Sequence, residues 1–311
     1  MPFYKYKTSI NLPKKAKAFF GVEGGITRGL LPLRFSRPTG PGVRPENMVW
    51  VFGAGRTGST WIAAMMKDVE GHEVWFERRV GACFDPDNFG RGDGRHFFFS
   101  TEYKDLWLDS VRRMILEGAN ARFPEIGAGH LFIKEPGGSQ GAPIIMDALP
   151  ESRIVLLVRD PRDVAASWLD AARKGGWQSK ELGLEETSAD VNPELFVHNH
   201  AVSFMKNVGN AKRAFDAHDG YKTLVRYEDL RSDTLGVMRR MYHELGVPVG
   251  ESELSKVVER HSWKNIPEKE KGEGKFYRKA KPEGWKEDLT PHQARIVEKV
   301  TASLLEEFGY S

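Results

Sequence analysis

Four short apolar runs stand out against the polar background of the chain, and turn residues follow the first two. Met48-Val-Trp-Val-Phe52 runs into Gly53, Ala54 and Gly55, and the segment 61–69 behind it has the spacing of a helix. Arg153-Ile-Val-Leu-Leu-Val158 has the unbroken apolar character of a strand buried on both faces. Asp160-Pro161 and an amphipathic segment over 162–173 follow it. His130-Leu-Phe-Ile133 and Lys222-Thr-Leu-Val-Arg226 read as further strands, the second leading through Tyr227-Glu-Asp-Leu230 to a helix over 234–245. Strand, tight turn and helix in alternation predict an α/β fold, a three-layer αβα arrangement around a central parallel sheet.

Composition narrows this picture. With 311 residues and 40% hydrophobic content the chain suffices for one large domain. Residues 1–47 hold Pro13, Pro32, Pro38, Pro41 and Pro45 and keep no period, which predicts an irregular N-terminal arm ahead of a domain over 48–311. That arm has nine Lys and Arg against Glu23 and Glu46, or +7, so the remainder of the +3 chain is −4. Such an arm suits a solvated extension and is compatible with peripheral contact to an anionic surface. It lacks patterned aromatics and the body is acidic, so no nucleic-acid partner is expected. No run approaches the eighteen apolar residues of a membrane span, and no signal core follows the early lysines. The single cysteine, Cys83, excludes an internal disulfide framework and a multi-cysteine zinc site. It is expected as a buried thiol, in a protein expected in the cytoplasm.

The chemistry begins at residues 53–61. Gly53 and Gly58 are separated by four residues, as in a Walker A loop, and Ser59 and Thr60 bring hydroxyls to the start of the helix. Free amides and the positive end of a helix dipole attract an anion there. A P-loop kinase needs Lys at position 59; this chain has Ser there and carries its cation inside the loop, as Arg56. That displacement suits a donor with one 5′-phosphate beside the transferred group, with no magnesium between two phosphates. A kinase and a non-catalytic nucleotide-binding protein remain the alternatives.

Gly55-Arg56-Thr57-Gly58-Ser59-Thr60-Trp61 resembles the 5′-phosphosulfate loop of the sulfotransferase superfamily, in the Arg form found in tyrosylprotein and many bacterial members. A second segment, Arg159-Asp-Pro-Arg-Asp-Val-Ala-Ala-Ser167, is similar to the family's 3′-phosphate site, in which an Arg ends a strand and a Ser follows eight residues later. A third, Phe276-Tyr-Arg-Lys-Ala-Lys-Pro-Glu-Gly-Trp-Lys286, is similar to the segment that covers the 3′-phosphate, with Ala280 in place of the family's Gly. The resemblance implies that 3′-phosphoadenosine 5′-phosphosulfate is the donor and adenosine 3′,5′-bisphosphate the product, without a metal. It implies 3′-phosphate contacts from Arg159, Ser167, Arg278 and Lys279. Trp61, Tyr227 and Trp263 become candidates for the adenine.

Transfer then requires a base for the acceptor hydroxyl and positive charge on the departing oxygen. Arg56 is the candidate charge. The family's cytosolic members carry a catalytic His where this chain has Lys134-Glu135-Pro136, so the base differs. By resemblance to the tyrosylprotein type, Glu77, twenty-one residues after Arg56, is the expected base and Lys134 an additional charge. Glu135, His72 and His96 are the reserve bases. The acceptor would be a hydroxyl-bearing small molecule, lipid or carbohydrate. Its pocket is expected from residues 81–100 and 175–193, with Phe84, Phe89, Phe97, Phe98, Phe99 and Trp177. The sequence gives no oligomeric state.

Overall fold

The computed structural model describes residues 40, 42–77, 79–85 and 104–310. Five parallel strands, β1 (Met48–Gly53), β2 (His72–Phe76), β3 (His130–Lys134), β4 (Arg153–Val158) and β5 (Lys222–Arg226), form one sheet in the order β2-β3-β1-β4-β5. The chain leaves β1 toward one edge, returns through β2 and β3, and crosses β1 to reach β4 and β5. β1 is therefore the switch point of the sheet, beside which α/β proteins open a crevice at the carboxyl ends of the strands.

The helices are α1 (Ser59–Lys67), α2 (Lys104–Arg122), α3 (Ala142–Ala148), α4 (Pro161–Ala172), α5 (Trp177–Leu182) and α6 (Ser188–Val191), followed by α7 (Pro193–Ala217). After β5 come α8 (Tyr227–Ser232), α9 (Thr234–Glu244), α10 (Glu251–Arg260), α11 (Trp285–Asp288) and α12 (Pro291–Glu307). Alternation along each strand divides them into two layers. Val49, Val51, Val155, Leu157 and Val225 face Ile62, Met65 and Met66 of α1 and Met238 and Met241 of α9. Met48, Trp50, Phe52, Ile133 and Leu156 face the other way, against Ile115 of α2, Ile145 of α3, Phe204 and Val208 of α7 and Leu304 of α12. The three-layer αβα expectation holds, and all six residues of β1 and of β4 are buried.

The differences from the sequence reading have local causes. β2 was not evident because His72 and Glu73 interrupt its apolar run, and only half of an edge strand needs covering. The stretch 175–193 contains α5 and α6, the latter started by a capping box of Thr187 and Asp190. Cys83, expected as buried, is exposed among the described residues. Phe84 belongs to a buried core cluster, whereas Phe89, His96, Phe97, Phe98 and Phe99 lie outside the described residues. Residues 42–47, the end of the segment read as the arm, pack on the body: Val43 is buried, its amide donates to Asn120 Oδ1 at 2.5 Å, and Asn47 Nδ2 donates to Ala128 O at 3.2 Å.

Candidate active site

Because all strands run the same way, their carboxyl ends bring distant sequence segments to one edge. Across that edge lie Glu77 after β2, Lys134 and Glu135 at the end of β3, the loop after Gly53, Arg159 after β4, and Tyr227 after β5. The register fixes the order, with Phe76 and Val51 both opposite Lys134, Gly53 opposite Leu157, and Val158 opposite Arg226.

The loop is shaped by backbone that side chains tolerate poorly. Gly58 caps α1 at φ +89°, and a Cβ there would fall 2.6 Å from the ring of Tyr227. Thr57 is fully buried and its hydroxyl donates to Ala54 O at 2.8 Å, which holds the loop from inside. Ser59 is buried and Thr60 half-buried at the helix start, where first-turn amides lie outside the helical ladder and can meet an anion. Arg56 adopts the left-handed region at φ +70° without being glycine. Strain of that kind persists where surrounding contacts impose it.

Those contacts are explicit. Arg56 Nε donates to Ser167 Oγ of α4 at 2.9 Å, and its Nη2 donates to Phe276 O at 2.9 Å. The guanidinium carbon lies 5.4 Å from the ring of Trp177 and 4.8 Å from that of Phe276. Burial and then the nearby Arg159 pull its pKa down to about 10. Arg159 Nη1 donates to Arg56 O at 3.0 Å, its guanidinium stacks 4.3 Å from Tyr227, and Asp163 lies 3.7 Å from its Nη2. Its Nε is buried with no hydrogen-bond partner among the described residues. An orphaned cationic donor beside a serine hydroxyl and a helix start fits an incoming phosphate.

Arg278 and Lys279 come near this cluster but face carboxylates. Arg278 lies against Asp170, at 3.6 Å, and Asp288; Lys279 pairs with Glu287 at 3.0 Å and Asp288 at 2.9 Å. Ala280, in place of the family glycine, has φ +48°. Its carbonyl accepts from Arg231 Nε at 3.0 Å, and the Arg231 guanidinium lies 5.7 Å from Trp61 and 5.9 Å from Trp263. Trp61 Nε1 donates to His261 O at 2.8 Å. Trp61 and Trp263 therefore share one wall. The sequence reading missed Arg231, although it lies one helical turn after Tyr227. It also missed Phe276 as an Arg56 contact, and the bonds by which Asp163 accepts from the amides of Glu283 at 3.0 Å and Trp285 at 2.9 Å.

On the β2 and β3 side, Lys134 Nζ is paired with Glu77 Oε1, with side chains 5% and 47% exposed. Burial lowers the lysine pKa, and Glu77 is the opposing influence. The pair thus joins a buried cation to a carboxylate that solvent reaches. Glu135 is completely buried, and burial pushes its pKa up to about 7. His72, one of the reserve bases, is elsewhere. It sits at the amino end of β2, ringed by Phe132 and Tyr242, and burial lowers its pKa to about 4.

A family model, Sulfotransferase domain, matches residues 142–309, more than half of the chain. This protein belongs to the sulfotransferase family. The matched region contains Arg159, Ser167, Tyr227, Trp263, Arg278 and Lys279, while the Arg56 loop precedes it. Solved sulfotransferases share the fold. The mouse sulfotransferase SULT7A1 complexed with PAP superposes with a TM-score of 0.56 at 14% identity, over 87% of this chain and 90% of that one. Sulfotransferase STF9 from Mycobacterium avium gives 0.54 at 14% identity, over 86% and 78%. STF1 from Mycobacterium tuberculosis gives 0.50 at 15%, over 83% and 76%. No curated protein sequence matches the chain. Among the described residues of this sulfotransferase, no helix is long and apolar enough to cross a membrane, and no cluster of His, Cys, Asp and Glu could hold a metal ion.

Proposed function

We propose that this sulfotransferase moves a sulfuryl group from 3′-phosphoadenosine 5′-phosphosulfate to a hydroxyl acceptor by in-line displacement, releasing adenosine 3′,5′-bisphosphate. The observation that carries the reading is the joining of two cations 103 residues apart, Arg159 donating to the Arg56 carbonyl while Arg56 reaches Ser167. That arrangement fits one small molecule with a 5′ and a 3′ phosphate. The 5′ end would be held by Gly55, Thr57, Gly58, Ser59 and Thr60 around α1, and the 3′-phosphate by Arg159 and Ser167. Arg278 and Lys279 would join after exchanging their carboxylate partners. Trp61, Tyr227 and Trp263 would flank the adenine. The nucleotide carried by the mouse relative is in keeping with this donor.

In the transfer the acceptor oxygen attacks sulfur as the bond from sulfur to the bridging phosphate oxygen breaks. The electron pair of that bond stays on the phosphate, where Arg56 would meet the growing charge. Glu77 would take the acceptor proton, leaving its pairing with Lys134, whose ammonium would then face the sulfuryl oxygens. The acceptor class is a hydroxyl-bearing small molecule, lipid or carbohydrate, and the transferase unit spans residues 48–311. A kinase reading is less well supported, because Ser59 stands where a Walker lysine would reach the β- and γ-phosphates.

The test is incubation with donor carrying labelled sulfur, over a panel of phenols, sugars and fatty alcohols, in EDTA. Label should pass to at least one hydroxyl without magnesium. Phosphoryl transfer from ATP with magnesium, and none from the sulfated donor, would sink the proposal. Glu77→Gln should retain affinity for adenosine 3′,5′-bisphosphate and lose about a hundred-fold in transfer.

A further inference from the structure

The geometry points to Glu135 as a positioning residue for this transfer: its carboxylate clamps the backbone turn at the end of β2 that aims Glu77 at Lys134. The inference rests on the roles proposed above for Glu77 and Lys134.

Glu135 was a reserve base on the sequence, but its two oxygens are occupied. Oε2 accepts from the amide of Arg79 at 3.1 Å and Oε1 from the amide of Gly81 at 3.3 Å. The clamped segment is strained, since Glu77 and Arg79 both have positive φ, at +32° and +54°. Non-glycine residues hold such angles only when neighbours enforce them. Adjacent residues at the end of β3 supply both restraints: Lys134 pairs with the Glu77 side chain, and Glu135, just after the strand, holds the backbone two and four residues on. The Glu77 amide also donates to Lys134 O at 2.8 Å, extending the β2–β3 ladder to the start of the turn.

The surroundings admit little else. A Cβ at Gly138 would fall 2.0 Å from Glu135 Oε1, and one at Gly81 would fall 1.8 Å from Gly138 O. The turn Val80–Phe84 and the turn Pro136–Gly141 thus touch backbone to backbone around the carboxylate. The same residue reaches the donor loop through its backbone: Ser139 Oγ donates to Glu135 O at 3.0 Å and accepts from the amide of Gly53 at 2.9 Å. Removing the carboxylate therefore frees the Glu77 turn while leaving the Gly53 attachment in place.

Protonation weakens such a clamp, because a neutral carboxyl presents one accepting oxygen to two amides. Burial is the main influence on Glu135; Glu77 adds to the upward shift, and the two amide bonds and Arg79 oppose it. Lys134 also faces it. The turn Pro136–Gly141 has no charged residue, and Val80–Phe84 brings only Cys83, which is exposed. With its pKa near 7, the clamp loosens as pH falls through neutrality.

The experiment compares wild type, Glu135→Gln and Gly138→Ala, all full-length. Glu135→Gln should lower kcat by about 10- to 100-fold. Its affinity for adenosine 3′,5′-bisphosphate should stay within about twofold, and the acid limb of kcat near pH 7 should flatten. In donor-free protein the amides of Arg79 and Gly81 should exchange faster with deuterium. Gly138→Ala, which presses on Oε1 and keeps the carboxylate, should give the same kcat loss, and it decides the matter if the Gln variant does not fold. Unchanged exchange at Arg79 and Gly81, or a kcat within about threefold of wild type with the acid limb intact, would overturn the inference. A wild type that transfers no sulfuryl group defeats the functional reading instead, while the exchange rates still report whether Glu135 holds the turn.

Discussion

Replacing Arg56 by Ala removes the cation proposed to meet the departing phosphate, and the structure separates its effect on folding from its effect on rate. Arg56 gains two charged hydrogen bonds, to Ser167 Oγ and Phe276 O, each worth about 1.5–3 kcal/mol. It also gains about 1 kcal/mol from two aromatic faces. Against this, holding the charge there lowers its pKa from 12.5 to about 10. That corresponds to about 3 kcal/mol before solvent screening reduces it. The favourable terms exceed the cost by about 1–4 kcal/mol, so Arg56→Ala should lower stability by about that amount. The left-handed backbone contributes little to the difference, since Arg and Ala carry a similar penalty at φ +70°.

Rate is different. A pKa near 10 leaves only about one guanidinium in a thousand neutral at pH 7, so in the proposed transfer the charge would be present as the leaving oxygen developed its own. Loss of such a donor lowers kcat by about 10² to 10³. Arg56→Lys keeps the charge without the fork that spans Ser167 and Phe276, and should fall between, at about tenfold. Single-turnover transfer from labelled donor, with thermal melts on the same preparations, reads both quantities. A kcat for Arg56→Ala within threefold of wild type, in a folded protein, would refute the reasoning.

Other consequences can be checked directly. Arg159→Ala should weaken adenosine 3′,5′-bisphosphate about 10- to 100-fold, yet leave adenosine 5′-phosphosulfate, which lacks the 3′-phosphate, nearly unaffected; equal losses by calorimetry would contradict the assignment. Ala280→Gly relieves a residue at φ +48° and should raise the melting temperature or nucleotide affinity by the equivalent of about 0.5–1 kcal/mol; a fall in both would show that the loop is not strained there. His72 titrates near 4 in the folded protein against an ordinary 6.5, so the unfolded chain binds the extra proton between those values. Its contribution is intact above about pH 6.5 and is lost as pH falls toward 4, up to about 3 kcal/mol in all. Urea midpoints at pH 7 and pH 5 measure it, and substitution of His72 by Gln should shrink the difference between them.

Much of this architecture could be read because the central strands are simple. β4 and β5 span the residues that their patterns marked, since β4 is buried on both faces and β5 opens directly into the Tyr227 segment. The first two donor motifs are local: each is a strand end, a turn and a helix start, and so can be recognised within ten residues. What could not be read depends on contacts between distant segments. Nothing near Ser139 signals that its hydroxyl would meet Gly53, 86 residues away. Glu135 reads as a base from its neighbours, and only the fold shows that its oxygens face the amides of Arg79 and Gly81. His72 carried the right chemistry at the wrong end of its strand.

The measurement closest to the central claim is calorimetric titration of the full-length protein with adenosine 3′,5′-bisphosphate in EDTA, with ATP and magnesium as the comparison. One nucleotide per chain is expected to bind at micromolar or tighter affinity, weakened by Arg159→Ala, with ATP and magnesium binding at least about tenfold more weakly. Absence of binding by the bisphosphate, or a preference for ATP with magnesium, would contradict it.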